Sequence, residues 1–440
     1  MPDTRTVPRF RPGDAGRLRR LGAVALIALA VAACGTNETG GSTGPGASAN
    51  QAPEVSPAAE LSGDLTVWAM GNEGALLSEL VPGFQEAYPD VTVNITPVDW
   101  GQAVNKLQTA IGGRQTPDIS QLGTDMMGQF AQTGALEAVP ANFDPGTYFE
   151  SAWNTGVVDG VAYGVPWYVE TRTMYWRTDL AEDAGLTAAP ATWDELKAAA
   201  QKIKDGGAEN GIALGPKNWQ ELMPFVWSNG GDVMNEAGEF TFDSPEFIEA
   251  LTFYDSFFED GLTPRNVPEG FDITPAFVSG THPLFFSGPW HIGLLDDAGG
   301  ADLEGKWDVS LLPGKDSAPG TSFIGGSNFS VFTDSENKPA AWAFLEYISR
   351  PEVQAQWYEI ATVMPSVSAG WDQPQLQEDP RIDVFRQQLD STRAQPAIPT
   401  WSEVAAAIND EMERVTTGDA TPEEAAAALQ QKASSIGTGQ

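Results

Sequence analysis

Glu170 and Arg172 stand two residues apart inside Gly164-Val165-Pro166-Trp167-Tyr168-Val169-Glu170-Thr171-Arg172-Thr173-Met174-Tyr175-Trp176-Arg177-Thr178-Asp179-Leu180. The stretch opens with a turn-forming glycine and proline and continues through β-forming residues, so it is read as a strand. Residues two apart on a strand share a face, which projects a carboxylate and a guanidinium together. Trp167, Tyr168, Tyr175 and Trp176 are expected to surround the pair with rings. A charged pair among aromatic rings suits a small polar ligand that also has apolar surface. A buried strand with one structural ion pair shows the same pattern, so the rest of the chain has to decide between the two.

Support for catalysis is thin. The chain has two histidines, His282 and His291, and no zinc-protease helix motif, phosphate loop or dinucleotide fingerprint. Gly325-Gly326 is too short and out of context to cradle phosphate. With so many carboxylates a glycosidase-like acid pair can always be picked, so such a pair carries no weight. Asp334-Ser335-Glu336-Asn337 hints at calcium, but Pro339 with Trp342, Phe344, Leu345 and Ile348 makes it a helix start. No metal or cofactor is indicated, and the chain is not read as an enzyme. The tryptophans say more: of fourteen, Trp342 and Trp357 fall in helical stripes and are assigned to cores, while Trp68, Trp167, Trp219 and Trp290 do not. A sugar ring packs its C–H face on an aromatic ring and turns its hydroxyl edge to carboxylates, amides and arginine. Core packing remains the alternative for each of these rings.

What must position these residues is a chain of 440 residues, long enough for two or three domains. It carries 60 acidic against 24 basic residues, a formal net charge of −36. Arg5, Arg9, Arg11, Arg17, Arg19 and Arg20 all precede Cys34, which leaves the remainder more acidic still. Such a body repels phosphate backbones, and nucleic acid is excluded as a partner. Residues 1–33 read as a signal peptide: an arginine-rich start, then an apolar run from Leu21 to Ala30 too short to span a membrane. The run ends in Val31-Ala32-Ala33-Cys34-Gly35, which resembles a bacterial lipobox, with Cys34 as the lipidated residue. Cys34 is the single cysteine of the chain, so neither a disulfide nor a cysteine metal site is expected in the mature protein. Residues 34–62, rich in Gly, Ser, Thr, Pro, Ala and Asn, read as a flexible tether with a reach of roughly 30 Å.

The body then alternates strands and helices. Leu65-Thr66-Val67-Trp68-Ala69-Met70 reads as a strand, Gly71-Asn72-Glu73-Gly74 as a turn, and Leu76 to Tyr88 as a helix kinked or shortened at Pro82. Val91 to Ile95 and Pro117 to Ser120 give two more strands around a helix at Val104, Leu107 and Ile111. This order predicts a doubly wound, mostly parallel sheet. Thr192 with Glu195 and Ser349 with Glu352 are read as helix-starting capping boxes, and Ser244-Pro245 and Thr421-Pro422-Glu423-Glu424 as further helix starts. A further helix is expected from near Ser335.

In this order and spacing, several segments identify the body as a member of the sugar-binding lipoproteins of bacterial ABC importers, the family of maltose-binding protein. They are Leu65-Thr66-Val67-Trp68, Thr116-Pro117-Asp118-Ile119, Phe130-Ala131-Gln132-Thr133-Gly134-Ala135-Leu136, Gly164-Val165-Pro166, Ala191 to Leu196, Ser287-Gly288-Pro289-Trp290, and Lys338 to Leu345. The resemblance implies an α/β, type II periplasmic-binding-protein fold: two lobes, each a doubly wound mixed sheet, joined by hinge crossovers. The first lobe would comprise residues 63–168 and 325–365, the second 169–324 and 366–440. It implies ligand-binding roles for Trp68, Asn72, Glu73, Asp125, Glu170, Arg172 and Trp290, and less directly for Trp219, Asp272, Ser327, Asn328 and Arg393. The implied function is capture of a di- or oligosaccharide by a monomer, lipid-anchored on the extracytoplasmic face of the membrane, and its delivery to permease subunits driven by a separate ATPase. A glycoside-active lipoprotein, a surface adhesin, and a polyol or glycerol phosphodiester as ligand stand as alternatives.

Overall fold

A computed structural model describes residues 61–268 and 271–439. The signal segment, Cys34 and nearly all of the tether lie outside the described residues.

In β1 (Gly63–Met70) Leu65, Val67 and Ala69 are buried at the period of two that a strand imposes. The strands β2 (Val91–Val98) and β3 (Ile119–Gly123) run parallel to it on either side. A short hairpin, β4 (Val157–Val158) and β5 (Val161–Ala162), leads into β6 (Val165–Thr171). After Arg172 alone the chain enters β7 (Thr173–Arg177), which pairs antiparallel with β8 (Leu284–Ser287) and β9 (Trp307–Ser310). It returns in the long strand β10 (Ser322–Val331), and β11 (Met364–Pro365) and β12 (Thr392–Arg393) follow.

The large sheet has the order β11-β6-β10-β3-β1-β2, with β12 beside the start of β10. It is mixed: β10 runs antiparallel to both β3 and β6. The small sheet is β8-β7-β9, extended by a parallel bridge between Ala213 and Phe285. The fold is thus the two-lobe α/β architecture, with Arg172 as the whole connection between β6 of one sheet and β7 of the other. One core gathers Leu65, Val67, Phe84, Trp167, Phe344 and Trp357 around the large sheet. A second gathers Met174, Trp193, Phe225, Tyr254, Trp401 and Leu429. The helices Trp401–Thr416 and Pro422–Ile436 therefore pack with the second lobe.

Local chemistry sets most helix starts, with four departures from expectation. At Thr192 only half of the box forms: its hydroxyl accepts from the Glu195 amide, while the Glu195 carboxylate accepts from the Ala191 amide. Thr421 accepts from the Glu424 amide while the Glu424 carboxylate accepts from the Thr421 amide, a complete capping box. Ser244 caps the helix Pro245–Glu259 through the Phe247 amide. At Ser349 no box forms: Ser349 closes the preceding helix, its hydroxyl is bonded by the Tyr148 hydroxyl, and the next helix starts at Pro351, whose fixed φ suits a first turn. The helix foreseen near Ser335 begins at Lys338, because the Ser335 hydroxyl is taken up by the Asp118 carboxylate. The turn foreseen at Gly71–Gly74 is instead the helix Gly71–Leu76, the chain reversing in one residue because Gly71 adopts φ +62°.

Candidate functional site

Glu170, on the face of β6 opposite the buried Trp167 and Val169, meets Arg172 at the joint between the sheets. Arg172 Nη1 lies 3.6 Å from Glu170 Oε1, the two side chains 15% and 29% exposed. Arg172 Nη2 donates to Gln220 Oε1 at 3.4 Å, and its Cζ stands 4.7 Å above the Trp290 ring and 5.8 Å from that of Phe323. Nη1 is shut off from water without a hydrogen-bond acceptor. A planar guanidinium stacked on an indole and held at its edges presents a fixed donor to whatever enters beside it.

Two cavities flank the pair, one bordered by Glu170 and the other by Arg172. One, of about 420 Å³, is lined from the first lobe by Thr124 and Asp125, from the second by Trp219, Gln220 and Trp401, and at its floor by Glu170. The other, of about 540 Å³, lies on the second lobe against Arg172, Gln220, Glu221, Trp290 and His291. Gln220 borders both. Each volume falls in the range of small-molecule sites, roughly 300–1,000 Å³. The Trp219 indole is wedged edge-on between Phe323 and Trp401, with centroids 5.3 and 5.0 Å away. Its backbone amide is fixed by Asn409 Oδ1, and Asn218 caps the helix Trp219–Ser228 that carries it.

The electrostatics favour a hydroxyl-rich ligand over an anionic one. Burial raises the carboxyls of Glu73 and Asp125 above their ordinary range; for Glu73 the nearby charge of Glu170 adds to this, while bonds from Tyr168 and Trp100 oppose it. Glu73 Oε2 is out of water with no donor. Burial pushes His291 down to about 4, so it is neutral at physiological pH, with Nδ1 2.6 Å from Ser287 Oγ. Burial also raises Glu221, whose carboxylate bonds the Gly215 amide and the Tyr254 hydroxyl and so ties down the loop before Trp219.

Among the residues singled out from sequence, Asp125, Glu170, Arg172, Trp219 and Trp290 are brought to these cavities, and Glu73 lies beside Tyr168 and Glu170. Asn72 belongs to the same short helix as Glu73. The others are placed elsewhere. Trp68 faces the helix Trp100–Gly113, where Lys106 Nζ covers its ring at 4.2 Å in a separate depression. Ser327 and Asn328 are 1% and 0% exposed; Ser327 Oγ accepts from Gln121 and the Asn328 amide donates to Thr155. Both sit in an interior strand paired on both edges, so their polar groups are used by the sheet. Asp272 caps the helix Ile273–Val278 by accepting from the Thr274 amide, although its neighbours Phe271 and Ile273 line the second-lobe cavity. Arg393 pairs with Asp232 at 2.8 Å beside a third cavity. The rings expected around the charged pair also differ. Trp167 is 1% exposed against Trp357, and Tyr175 is stacked in the core on Phe285. Trp290 and Phe323 take their place.

Gln220, Trp401, Phe323 and Gln395 were not foreseen. Gln395 is 6% exposed, donates to Thr124 Oγ1 at 3.2 Å, and leaves its Oε1 without a donor at the cleft. That contact joins positions 271 residues apart, which no local pattern signals. Gln220 does have a local signal, since it follows the capping Asn218 and Trp219.

Comparison with known proteins agrees with this fold. Residues 69–355 match the family model described as bacterial extracellular solute-binding protein. The sugar-binding protein MalE of Xanthomonas citri superposes with a TM-score of 0.81 at 29% identity, covering 85% of this chain and 97% of that one. The maltotriose-binding protein of Pyrococcus abyssi is 28% identical, over 79% of this chain and 77% of its own length. The galactooligosaccharide-binding protein of Bacillus subtilis is 21% identical, over 91% of this chain and 92% of its own.

Proposed function

Because the chain belongs to the bacterial extracellular solute-binding protein family, we propose that it captures a di- or oligosaccharide between its lobes and hands it to an ABC permease. The observation that carries this reading is the cleft lined from both lobes, with Asp125 on one side, Trp219 and Trp401 on the other, and Glu170 beneath. The partly exposed Trp219 ring, backed by the buried Trp401, supplies a stacking face, and the carboxylates and the Arg172 guanidinium supply partners for hydroxyls. Similarity to proteins named for maltotriose and galactooligosaccharides points to the same ligand class. The family consists of solute-binding proteins rather than enzymes, and the sugar is expected to leave the cleft chemically intact.

A thermal-shift screen with trehalose, maltose, maltotriose, cello- and xylo-oligosaccharides tests the reading. A ligand present at 100 times its Kd adds about 2.7 kcal/mol of apparent stability. No shift with any sugar would sink it.

A ligand that touches both lobes favours the form in which they approach. Small-angle scattering is therefore expected to give a smaller radius of gyration with the bound sugar than without it. An unchanged radius at saturation would favour a rigid lectin-like module.

The lipobox and the lone thiol lead to a further expectation, that the mature protein is held to the extracytoplasmic face of the membrane by lipid on Cys34. Among the described residues no helix is long and apolar enough to cross a membrane. Cys34→Ala is expected to abolish lipidation, leaving a full-length precursor or a released protein. Mass spectrometry of the wild-type membrane fraction decides: an unmodified N-terminus at a position other than Cys34 refutes the anchor.

A further inference from the structure

Trp100 opens the helix Trp100–Gly113, whose start is fixed by Asp99 Oδ1 accepting from the Gly101 amide at 2.9 Å. Its indole is half-buried and lies across the C-terminal ends of β1 and β3, the side of a parallel sheet where α/β folds keep their ligand crevices. The glycine at position 71 makes this possible. A Cβ on Gly71 would fall 2.7 Å from Trp100 Nε1 and 2.8 Å from Cδ1, and one on Gly123 would fall 3.5 Å from Cζ3. The Nε1–Cδ1 edge of the ring therefore stands against Gly71, in a space that any side chain at residue 71 would occupy, and the opposite edge reaches the end of β3.

Carboxylates flank both ends of this ring. The Gly71 Cβ position is also 3.1 Å from Glu73 Oε2, and the Gly123 Cβ position is 2.5 Å from Asp125 Oδ1. Glu73 Oε2 stays buried without a donor beside this ring. Asp125 lines the cleft cavity, so the arrangement adjoins it. None of the ring–ring or cation–ring contacts among the described residues involves Trp100, whereas the ring of its neighbour Trp68 is covered by Lys106.

We infer that Trp100 is a sugar-stacking platform on the first lobe, taking the C–H face of one neutral pyranose ring whose hydroxyl edges go to Glu73 and Asp125. The inference rests on the sugar-binding reading and deepens it by naming a subsite. An indole braced on backbone loses little freedom on binding, and acceptors at its two ends fix the rotation of the ring placed on it. The first lobe then has its own stacking surface, opposite the tryptophans of the second. A sugar gripped by rings from both sides has reason to draw the lobes together.

The test uses the full-length mature protein and isothermal titration with maltotriose, or with the first sugar of the screen that binds the wild type. Trp100→Leu keeps apolar bulk without a flat face and is expected to weaken binding roughly tenfold or more, as loss of an aromatic anchor does. Trp100→Phe is expected to stay within about threefold of the wild type, and Trp68→Ala to bind as the wild type does. Unliganded melting curves of Trp100→Leu and Trp100→Phe are expected to agree closely. Equal affinity of Trp100→Leu and the wild type overturns the platform while leaving the sugar reading standing. Equal loss in Trp100→Leu and Trp100→Phe together with equally lowered melting also overturns it, since a structural role would act that way. A wild type that binds no sugar of the screen removes both the reading and the platform.

Discussion

Trp290→Ala is expected to weaken sugar binding by about 2 kcal/mol or more, roughly thirtyfold in Kd, with little change in unliganded melting. The ring is half-buried at the first position of the helix Trp290–Leu303 and lies directly over Gly288, where a Cβ would fall 2.0 Å from its Cζ3. It borders the second-lobe cavity, and the Arg172 guanidinium stacks on it. Truncation removes that stacking face and also the surface that orients Arg172 toward Glu170 and Gln220. Both losses fall on the ligand rather than on the core. Were Trp290 instead a core residue, the same change would lower stability by about 3–5 kcal/mol and spare affinity. Titration and calorimetry on Trp290→Ala and Trp290→Phe separate the two, the phenylalanine keeping most of the stacking. Unchanged affinity in a destabilised protein would refute the role.

Strand parity explains both what the sequence revealed about this site and what was misread. Glu170 and Arg172 are two apart, and they meet in space even though β6 ends at Thr171. The same rule, carried along β6, sets Tyr168 beside Glu170 and turns Trp167 and Val169 to the opposite, buried face. Trp167 is a core residue for a reason that was legible. Parity acts likewise in β1, where Leu65, Val67 and Ala69 take one core and Trp68 is turned toward the helix Trp100–Gly113. A tryptophan near a strand end thus looked like a cleft residue, while Trp100, one residue after the Asp99 cap, carried no signal that singled it out.

Polar residues in the return strand were overread for a different cause. Ser327 and Asn328 have the right chemistry for a sugar, but Gln121 and Thr155 engage them across 206 and 173 residues of sequence. Engagement of that kind is a property of the folded pairing of β10 with β3 and β6 and leaves no local trace. The Gln395–Thr124 contact between the lobes is invisible for the same reason. What could be read was periodic or local: the strand of β1 and the helix starts at Ser244-Pro245 and Thr421-Pro422.

Asp255→Asn is expected to stabilise the unliganded protein, and to do so more at pH 7.5 than at pH 5. Asp255 lies on the buried side of the helix Pro245–Glu259, 7% exposed, between Tyr254 and Phe257. Its Oδ1 has no hydrogen-bond partner. Burial raises its pKa from 3.8 to about 6; the negative charge of Glu259 adds to this, and Arg265 offsets part of it. The folded state therefore holds this proton more tightly than the unfolded chain does. Wherever the native state binds more protons, stability falls as pH rises. Below 3.8 both states are protonated and the group costs nothing. Across the window from 3.8 to about 6 the cost grows, and above it the cost is complete at about 3 kcal/mol as an upper figure. Asparagine keeps the shape without the charge, so the variant should gain most of that above pH 7 and only about half at pH 5, where the proton is partly retained. Urea unfolding of both proteins at the two pH values measures the difference, pH 5 lying above the sequence pI of about 4.1 and so clear of precipitation. An equal gap at both pH values, or a less stable variant at pH 7.5, would show that Asp255 ionises in the folded protein without penalty.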